Sequence, residues 1–448
     1  MAQLDLTRGP IGTTMIRFAL PMIGGNILQQ VYNIADTLIV GRVLGPDALA
    51  AVGSSFALMT FLTSVLLGLC MGSGAMFSIR YGENNAVRFQ EDRTAAFALI
   101  AGITVILQAG AFVCLPFLLG WLSVPAQVQP LMGAYLWVIF WGIGGTFLSN
   151  YYTCLLRAVG NAFVPLVFLG GASAVNLGLD LVFVLACGWG VKGAAAATVL
   201  AQWGAGIGLL CYTRRACPQL RLPKAHRRLT VSAFREIGSA SVLTCLQQSV
   251  MNLGILMVQG LVNSFGPVVM AAFAAAVKID AFAYMPLQDF GNAFSTFIAQ
   301  NYGAGQSRRI RQGIRTAGGL AIGFGLMVSL VVVLFARPLM GLFVPPHETE
   351  ILSVGVTYLR IEGAFYWGIG VLFLLYGLYR AICRPGMSLI LTVLSLGTRV
   401  ALAYSLSALP AVGVLGIWWA VPIGWVLADL TGILRARALS RQQVQEMI

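Results

Sequence analysis

Asn26, Gln29, Gln30, Asn33 and Asp36 follow one another at three- and four-residue steps through an otherwise apolar stretch. That spacing lays a polar stripe along one face of a helix. Asn176 and Asp180 stand at i and i+4 in a second apolar stretch, again on one face. A carboxylate with carboxamides one turn away suits an exchangeable proton or small cation. The amides supply oxygen ligands or hydrogen bonds, and the carboxyl supplies the charge to be neutralised. The competing reading of the same residues is a hydrogen-bonded zipper that holds helices together.

The rest of the chain decides what kind of body carries these groups. Its 448 residues are 58% hydrophobic and only 10% Asp, Glu, Lys and Arg, against about 25% charged in soluble domains. That balance excludes a cytosolic enzyme and a disordered chain. A spanning helix takes about 20 apolar residues, and apolar stretches fall near 14–40, 49–77, 93–120, 128–149, 162–187, 191–213, 237–263, 269–298, 316–341, 352–377, 386–408 and 413–434. The predicted fold is therefore an all-α polytopic membrane protein with 12 transmembrane helices. The eight cysteines are scattered without a C-x-x-C pair, and the two histidines, His226 and His347, lie in loops. A disulfide frame, a structural metal and a buried His-rich centre are excluded. The N-terminal region reads as a full span, without the small-residue cleavage pattern of a signal peptide.

Charge sets the expected topology. The net charge of +13 would suggest a nucleic-acid partner in a soluble protein, but here its distribution matters more, and no nucleic acid is expected. Alternate connections and both termini hold 22 of the 28 Lys and Arg residues. The positive-inside rule then puts both termini in the cytoplasm, which twelve crossings satisfy.

The halves repeat. Leu44-Gly45-Pro46 returns as Phe265-Gly266-Pro267, and Arg80-Tyr81-Gly82 as Asn301-Tyr302-Gly303, both 221 residues on. Arg157-Ala158 returns as Arg380-Ala381, and Gly190-Val191-Lys192-Gly193 as Gly413-Val414-Leu415-Gly416, both 223 residues on. Six helices per repeat insert both halves in the same orientation, the parallel-repeat plan of some secondary transporters. The expected organisation is an N-lobe at 1–213, a cytoplasmic linker at 214–236 and a C-lobe at 237–448, two pseudo-symmetric six-helix lobes.

A charge in mid-bilayer costs about 2.5–3.5 kcal/mol on insertion scales and marks function by default. Beside Asp36 and Asp180, the spans hold Asp280, Asp289, Glu362 and Asp429, with Lys278, Arg360 and Arg399 as the bases. Lys278 is two residues from Asp280 and so on another face. Arg399, deep in its span, needs an acid or carbonyl partner, and Glu362 is the expected one. At the repeat offset, Asn176 corresponds to Arg399 and Asp180 to Ala403. Span seven keeps Gln247, Gln248 and Asn252 but has nothing like Asp36. A residue needed only to hold a repeat together would occur in both halves.

At these residues the chain resembles the multidrug and toxic compound extrusion (MATE) family over almost its whole length. The resemblance is carried by FALP at 18–21, QQVYNIADTLIVGRVLG at 29–45, LLRAVGN at 155–161, NLGLD at 176–180, MPLQDFG at 285–291 and AQNYGAG at 299–305. It implies a V-shaped pair of lobes that exports organic cations and amphiphilic compounds in exchange for H⁺ or Na⁺, and no catalysis. The pattern of acids resembles the bacterial and archaeal branch named for DNA-damage-inducible members.

By that resemblance Asp36 and Asp180 are the coupling carboxylates, able to hold Na⁺ as well as H⁺, with Asn176, Asn150 and Thr198 completing the site. Pro21 is the proline at which the first span bends when the site is neutralised. Gln30, Tyr32, Asn33, Asp280, Met285 and Glu362 are expected to line the substrate cavity, whose aromatic and methionine wall suits varied ligands. No cofactor beyond the coupling ion is expected. The other expectations are a monomer in contact with membrane lipids, in a prokaryotic plasma membrane. The rival is a flippase for lipid-linked saccharide or peptidoglycan precursors of the same superfamily, which should carry more bases facing its path.

Overall fold

The computed structural model describes residues 4–121, 128–217 and 230–445. Residues 218–229 of the expected linker, with Arg221, Lys224, His226, Arg227 and Arg228, lie outside the described residues. Helix dominates, and no strand occurs among the described residues. Among the described residues, eleven helices of 23–37 residues are long and apolar enough to cross a membrane, twelve when a pair bent by 51° is counted as one span.

In chain order the helices are α1 (Ile11–Leu44), α2 (Pro46–Gly82), α3 (Ala86–Trp121), α4 (Gln129–Ile139), α5 (Ile143–Ala158), α6 (Phe163–Asp180), α7 (Gly190–Ala216) and α8 (Val231–Asn263). They continue as α9 (Pro267–Gly303), α10 (Ser307–Leu334), α11 (Ala336–Gly341), α12 (Thr349–Gly363), α13 (Tyr366–Ala381), α14 (Pro385–Ser407) and α15 (Val414–Gln445). A 3₁₀ turn at Phe140–Gly142 joins α4 to α5 within one crossing, and a π-helical turn at Leu181–Ala186 extends α6. Helices α12 and α13 form the bent crossing. α1 is one helix with Pro21 inside it.

The chain groups into two units. One holds Leu20–Cys245 with the residues before Leu6, and the other holds Leu6–Ala19 with Leu246 onward. The divisions thus fall inside α1, beside Pro21, and inside α8. Within the first unit α7 packs on α4, α5 and α6, and α2 packs on α3 and α5. Close approach there needs glycine: a Cβ on Gly145 would stand 2.8 Å from the Trp203 backbone nitrogen. Within the second unit α9 packs on α12 and α13, and α14 on α15. Small residues at such crossings are how helices associate where lipid removes the hydrophobic drive between them.

The internal repeat is written into the backbone as well as the sequence. Gly45 and Gly266 have φ of 88° and 94°, Asn84 and Gly305 have 52° and 68°, and both pairs are 221 residues apart. Gly160 and Cys383 have φ of 85° and 58°, Gly190 and Gly413 have 59° and 51°, and both pairs are 223 apart. Left-handed backbone is costly away from glycine. Its return at equivalent turns, twice in non-glycine residues, therefore means that the two halves share their chain path.

At the end of α2 the first unit has a cluster of charges. Arg80 lies 2.9 Å from Asp92, 3.2 Å from Glu83 and 2.5 Å from Glu236, linking α2 to α3 and to the start of α8. Two turns before Arg80, Ser73 and Ser241 share a hydrogen bond of 2.8 Å between the same two helices, α2 and α8.

Candidate functional site

The first unit brings Asp36 of α1 and Asp180 of α6 within electrostatic reach of each other. Asp180 is fully buried and neither of its oxygens receives a hydrogen bond, nor does Oδ1 of Asp36. Buried carboxylate oxygens are ordinarily satisfied, and two carboxylates side by side repel unless something positive lies between them. Three open acceptor oxygens at one place are therefore a demand for a proton or a cation.

Around the pair the polar groups form a chain. Asn176, one turn before Asp180, donates from Nδ2 to Thr198 Oγ1 at 3.1 Å. Thr198 donates on to the Ala194 carbonyl at 3.1 Å. The Tyr32 hydroxyl stands within electrostatic reach of both aspartates. Asn176 is only 2% exposed and its Oδ1 receives no donor. That amide oxygen is the right kind of ligand for a hard cation. Tyr135, on α4, is the other hydroxyl close to both acids.

An apolar cluster fixes these side chains from one end. Val40 lies one turn beyond Asp36, Val184 one turn beyond Asp180, and Ala194 one turn before Thr198. With Ala48 and Val191 they form a buried core against which Tyr135 packs. Asp180 is also the last residue of regular α-helix before the π-helical turn. There Cys187 N–H bonds to the Val182 carbonyl at 2.9 Å. Such π turns are frequent at functional sites, because the extra residue per turn re-aims the side chains beside it.

The other expected residues are placed as follows. Asn150 of α5 donates to the Thr146 carbonyl of its own helix at 2.9 Å and makes no described bond to either aspartate. Asn33 donates to Gln30 Oε1 at 3.1 Å along α1, so the stripe is partly paired within its own helix. Met285 is half-buried on α9. Lys278 is exposed with its ammonium 6.0 Å from the Phe343 ring, on a different face from buried Asp280.

Asp280 and Glu362 are drawn into a second cluster inside the other unit. Tyr358 donates to Asp280 Oδ2 at 2.5 Å, and Tyr366 donates to Oδ1. Glu362 is buried beside them, and its Oε2 receives no donor. Arg399 of α14 lies within electrostatic reach of Glu362 and Asp280. Tyr358 is wedged edge-on against Trp418 at 4.7 Å, and Trp418 stacks on Phe273 at 5.6 Å. Glu362 precedes the 51° bend between α12 and α13 by one residue of helix. Both acid clusters thus sit where a spanning helix departs from regular geometry.

Sequence reasoning missed Tyr135, Tyr358 and Tyr366. The signal was available for the last two, since they flank Glu362 at four residues on either side, a spacing that puts them on one face of an unbroken helix. For Tyr135 the only signal was a hydroxyl in an apolar aromatic run.

The comparisons agree with this architecture. A family model described as MatE matches residues 21–182 and 240–405. The probable multidrug resistance protein YpnP of Bacillus subtilis is 28% identical over 91% of this chain and 90% of its own length. The FAD transporter of Shewanella oneidensis is 26% identical, covering 93% and 92%. In fold, the chain is similar to a MOP-superfamily transporter from Pyrococcus furiosus Vc1, with a TM-score of 0.91, 22% identity and 98% of both chains covered. It is likewise similar to an outward-facing multidrug resistance MATE family transporter, with a TM-score of 0.88 and 23% identity over 98% of this chain and 99% of the other. Matched by that model over most of its length and built as a repeated set of membrane-spanning helices, the chain belongs to the MatE family, a family of membrane transporters and not of enzymes.

Proposed function

We propose that this protein exports organic cations and amphiphilic compounds across a prokaryotic plasma membrane in exchange for H⁺ or Na⁺. Asp36 and Asp180 are the groups that load and release the ion. The observation that carries the reading is their three donor-less oxygens, buried side by side in the first unit. Asn176, Thr198 and Tyr32 orient the pair, and the exporter branch whose coupling acids lie in the N-lobe fits best.

On this reading the ion enters from outside and neutralises the aspartates, α1 bends at Pro21, and substrate leaves. The lobes then rock inward, the ion departs to the cytoplasm and substrate rebinds. One chain suffices, with both termini cytoplasmic. The names of curated relatives support multidrug efflux, and the FAD transporter among them marks how widely substrates vary at this level of identity. The flippase alternative calls for bases facing the path. Lys278 lies against the Phe343 ring instead, and Arg399 lies within electrostatic reach of two acids, Glu362 and Asp280, which favours the exporter.

The test is efflux of a cationic dye from proteoliposomes, with pH and Na⁺ gradients imposed separately. Transport should follow one gradient in the native protein and fall to background in Asp36→Asn and Asp180→Asn. Undiminished transport in either well-folded variant refutes the assignment. Transport of a lipid-linked precursor without dye efflux would favour the flippase.

A further inference from the structure

Helix α10 begins with four arginines: Arg308, Arg309, Arg311 and Arg315. Arg309 is turned to the chain's own N-terminal segment. It donates to the carbonyls of Leu6 at 3.3 Å, Arg8 at 2.8 Å and Gly9 at 2.7 Å, and lies over the Phe297 ring. The other three are exposed and make no ion pair with any described residue. With Ser307 and Gln312 they line an open surface pocket of about 420 Å³. No acid occurs between Asp289 and Glu348, so nothing nearby in sequence neutralises them.

The same helix face continues away from the arginines in a particular way. Gly313, Ala317, Ala321, Gly325 and Ser329 face the core. Opposite them, on the face of Arg308, Arg311 and Arg315, lie Gly319, Ile322, Leu326 and Leu330, all exposed. A Cβ on Gly318, Gly319 or Gly323 would meet no atom within 4 Å. One turn inward of Arg315 there is therefore a notch without side chains, and beyond it a strip of bare aliphatic surface. The three arginines span about 10 Å of helix at the rise of an α-helix.

A free anion would use only the pocket. An amphiphile with a negative head would use the pocket, the notch and the strip together. The positive-inside rule accounts for bases on this side, but it does not account for their alignment above a glycine notch. We propose that this face of α10 binds an anionic phospholipid. Its phosphate sits among Arg308, Arg311 and Arg315, its glycerol region crosses Gly319, and an acyl chain lies along Ile322, Leu326 and Leu330. Basic clusters at the cytoplasmic boundary of a spanning helix take anionic headgroups by this chemistry.

The test uses the full-length protein in a neutral detergent, with phosphatidylglycerol and phosphatidylcholine added in competition and retained lipid counted by native mass spectrometry. Phosphatidylglycerol should be retained in preference. Each base near an anionic headgroup contributes about fivefold in affinity, so R308Q/R311Q/R315Q should weaken retention by about a hundredfold. Gly319→Leu, which fills the notch and leaves every charge in place, should also weaken it. R214Q/R215Q, at the end of another helix, should not. The proposal is overturned if the triple variant or Gly319→Leu retains the lipid like the native protein. It is equally overturned if millimolar inorganic phosphate displaces the lipid, since the site would then be one for free anions.

Discussion

Thr198 is the joint on which the candidate ion site turns, and its replacement by valine isolates one hydroxyl. Its oxygen accepts from Asn176 Nδ2 at 3.1 Å, while its proton goes to the Ala194 carbonyl at 3.1 Å. Valine keeps the shape and removes the acceptor. Asn176 is 2% exposed and its Oδ1 already lacks a donor, so the carboxamide would then be unsatisfied at both ends. A buried polar group left without its partner costs about 1–3 kcal/mol. The middle of that range, about 2 kcal/mol, exceeds the 1.4 kcal/mol that corresponds to tenfold in an equilibrium. The expected outcome is at least a tenfold rise in the H⁺ or Na⁺ concentration needed for half-maximal dye efflux from proteoliposomes. Thr198→Ser, which keeps the hydroxyl, should stay close to the native value. If the valine variant is folded and transports like the serine variant, the hydrogen-bonded chain does not organise the site and the argument fails.

Two further perturbations concern buried charge. Arg80→Gln leaves Asp92, whose side chain is 3% exposed, without its base, and should cost about 3 kcal/mol as breaking a buried pair does. The double variant R80Q/D92N should recover much of the loss in thermal unfolding of the purified protein, and no recovery would mean that the pair is not what stabilises this end of α2. Arg399→Gln removes the base within electrostatic reach of Asp280 and Glu362 and should lower thermal stability. Adding Glu362→Gln should restore stability, and a double variant no more stable than the single one would rule out Arg399 as their counter-charge.

Much of this was legible in the sequence because lipid imposes strong rules. The spans follow from the need to satisfy every backbone group inside a helix, and the repeat follows from turn residues such as Gly45 and Gly266, whose left-handed backbone tolerates few alternatives. Asp36, Asn176 and Asp180 stood out because a polar side chain in an apolar span is expensive. The irregular backbone was not legible. The π turn after Asp180 and the bend after Glu362 leave no residue signature, since Leu181–Ala186 and Gly363–Phe365 contain no proline. Contacts between helices decide such features. The cluster at Arg80 escaped for a related reason: Asp92 and Glu236 are 12 and 156 positions away, and spacing says nothing at that range.

The two acid clusters explain each other through the repeat. In the second unit the position equivalent to Asn176 is Arg399, and the position equivalent to Asp180 is buried Ala403. There the carboxylates are supplied by Asp280 and Glu362, and the chain brings its own cation to them together with two tyrosine hydroxyls on Asp280. In the first unit the acids stand in the repeat's own positions, an amide replaces the arginine, and no lysine or arginine is among the groups found to act on either aspartate. One lobe carries its positive charge covalently; the other has to borrow it. A charge that is borrowed can be returned on the far side of the membrane, and a covalent one cannot. On the proposed reading, that difference, made by exchanging Asn for Arg at one register position, assigns coupling to Asp36 and Asp180 and a fixed structural role to the cluster around Asp280.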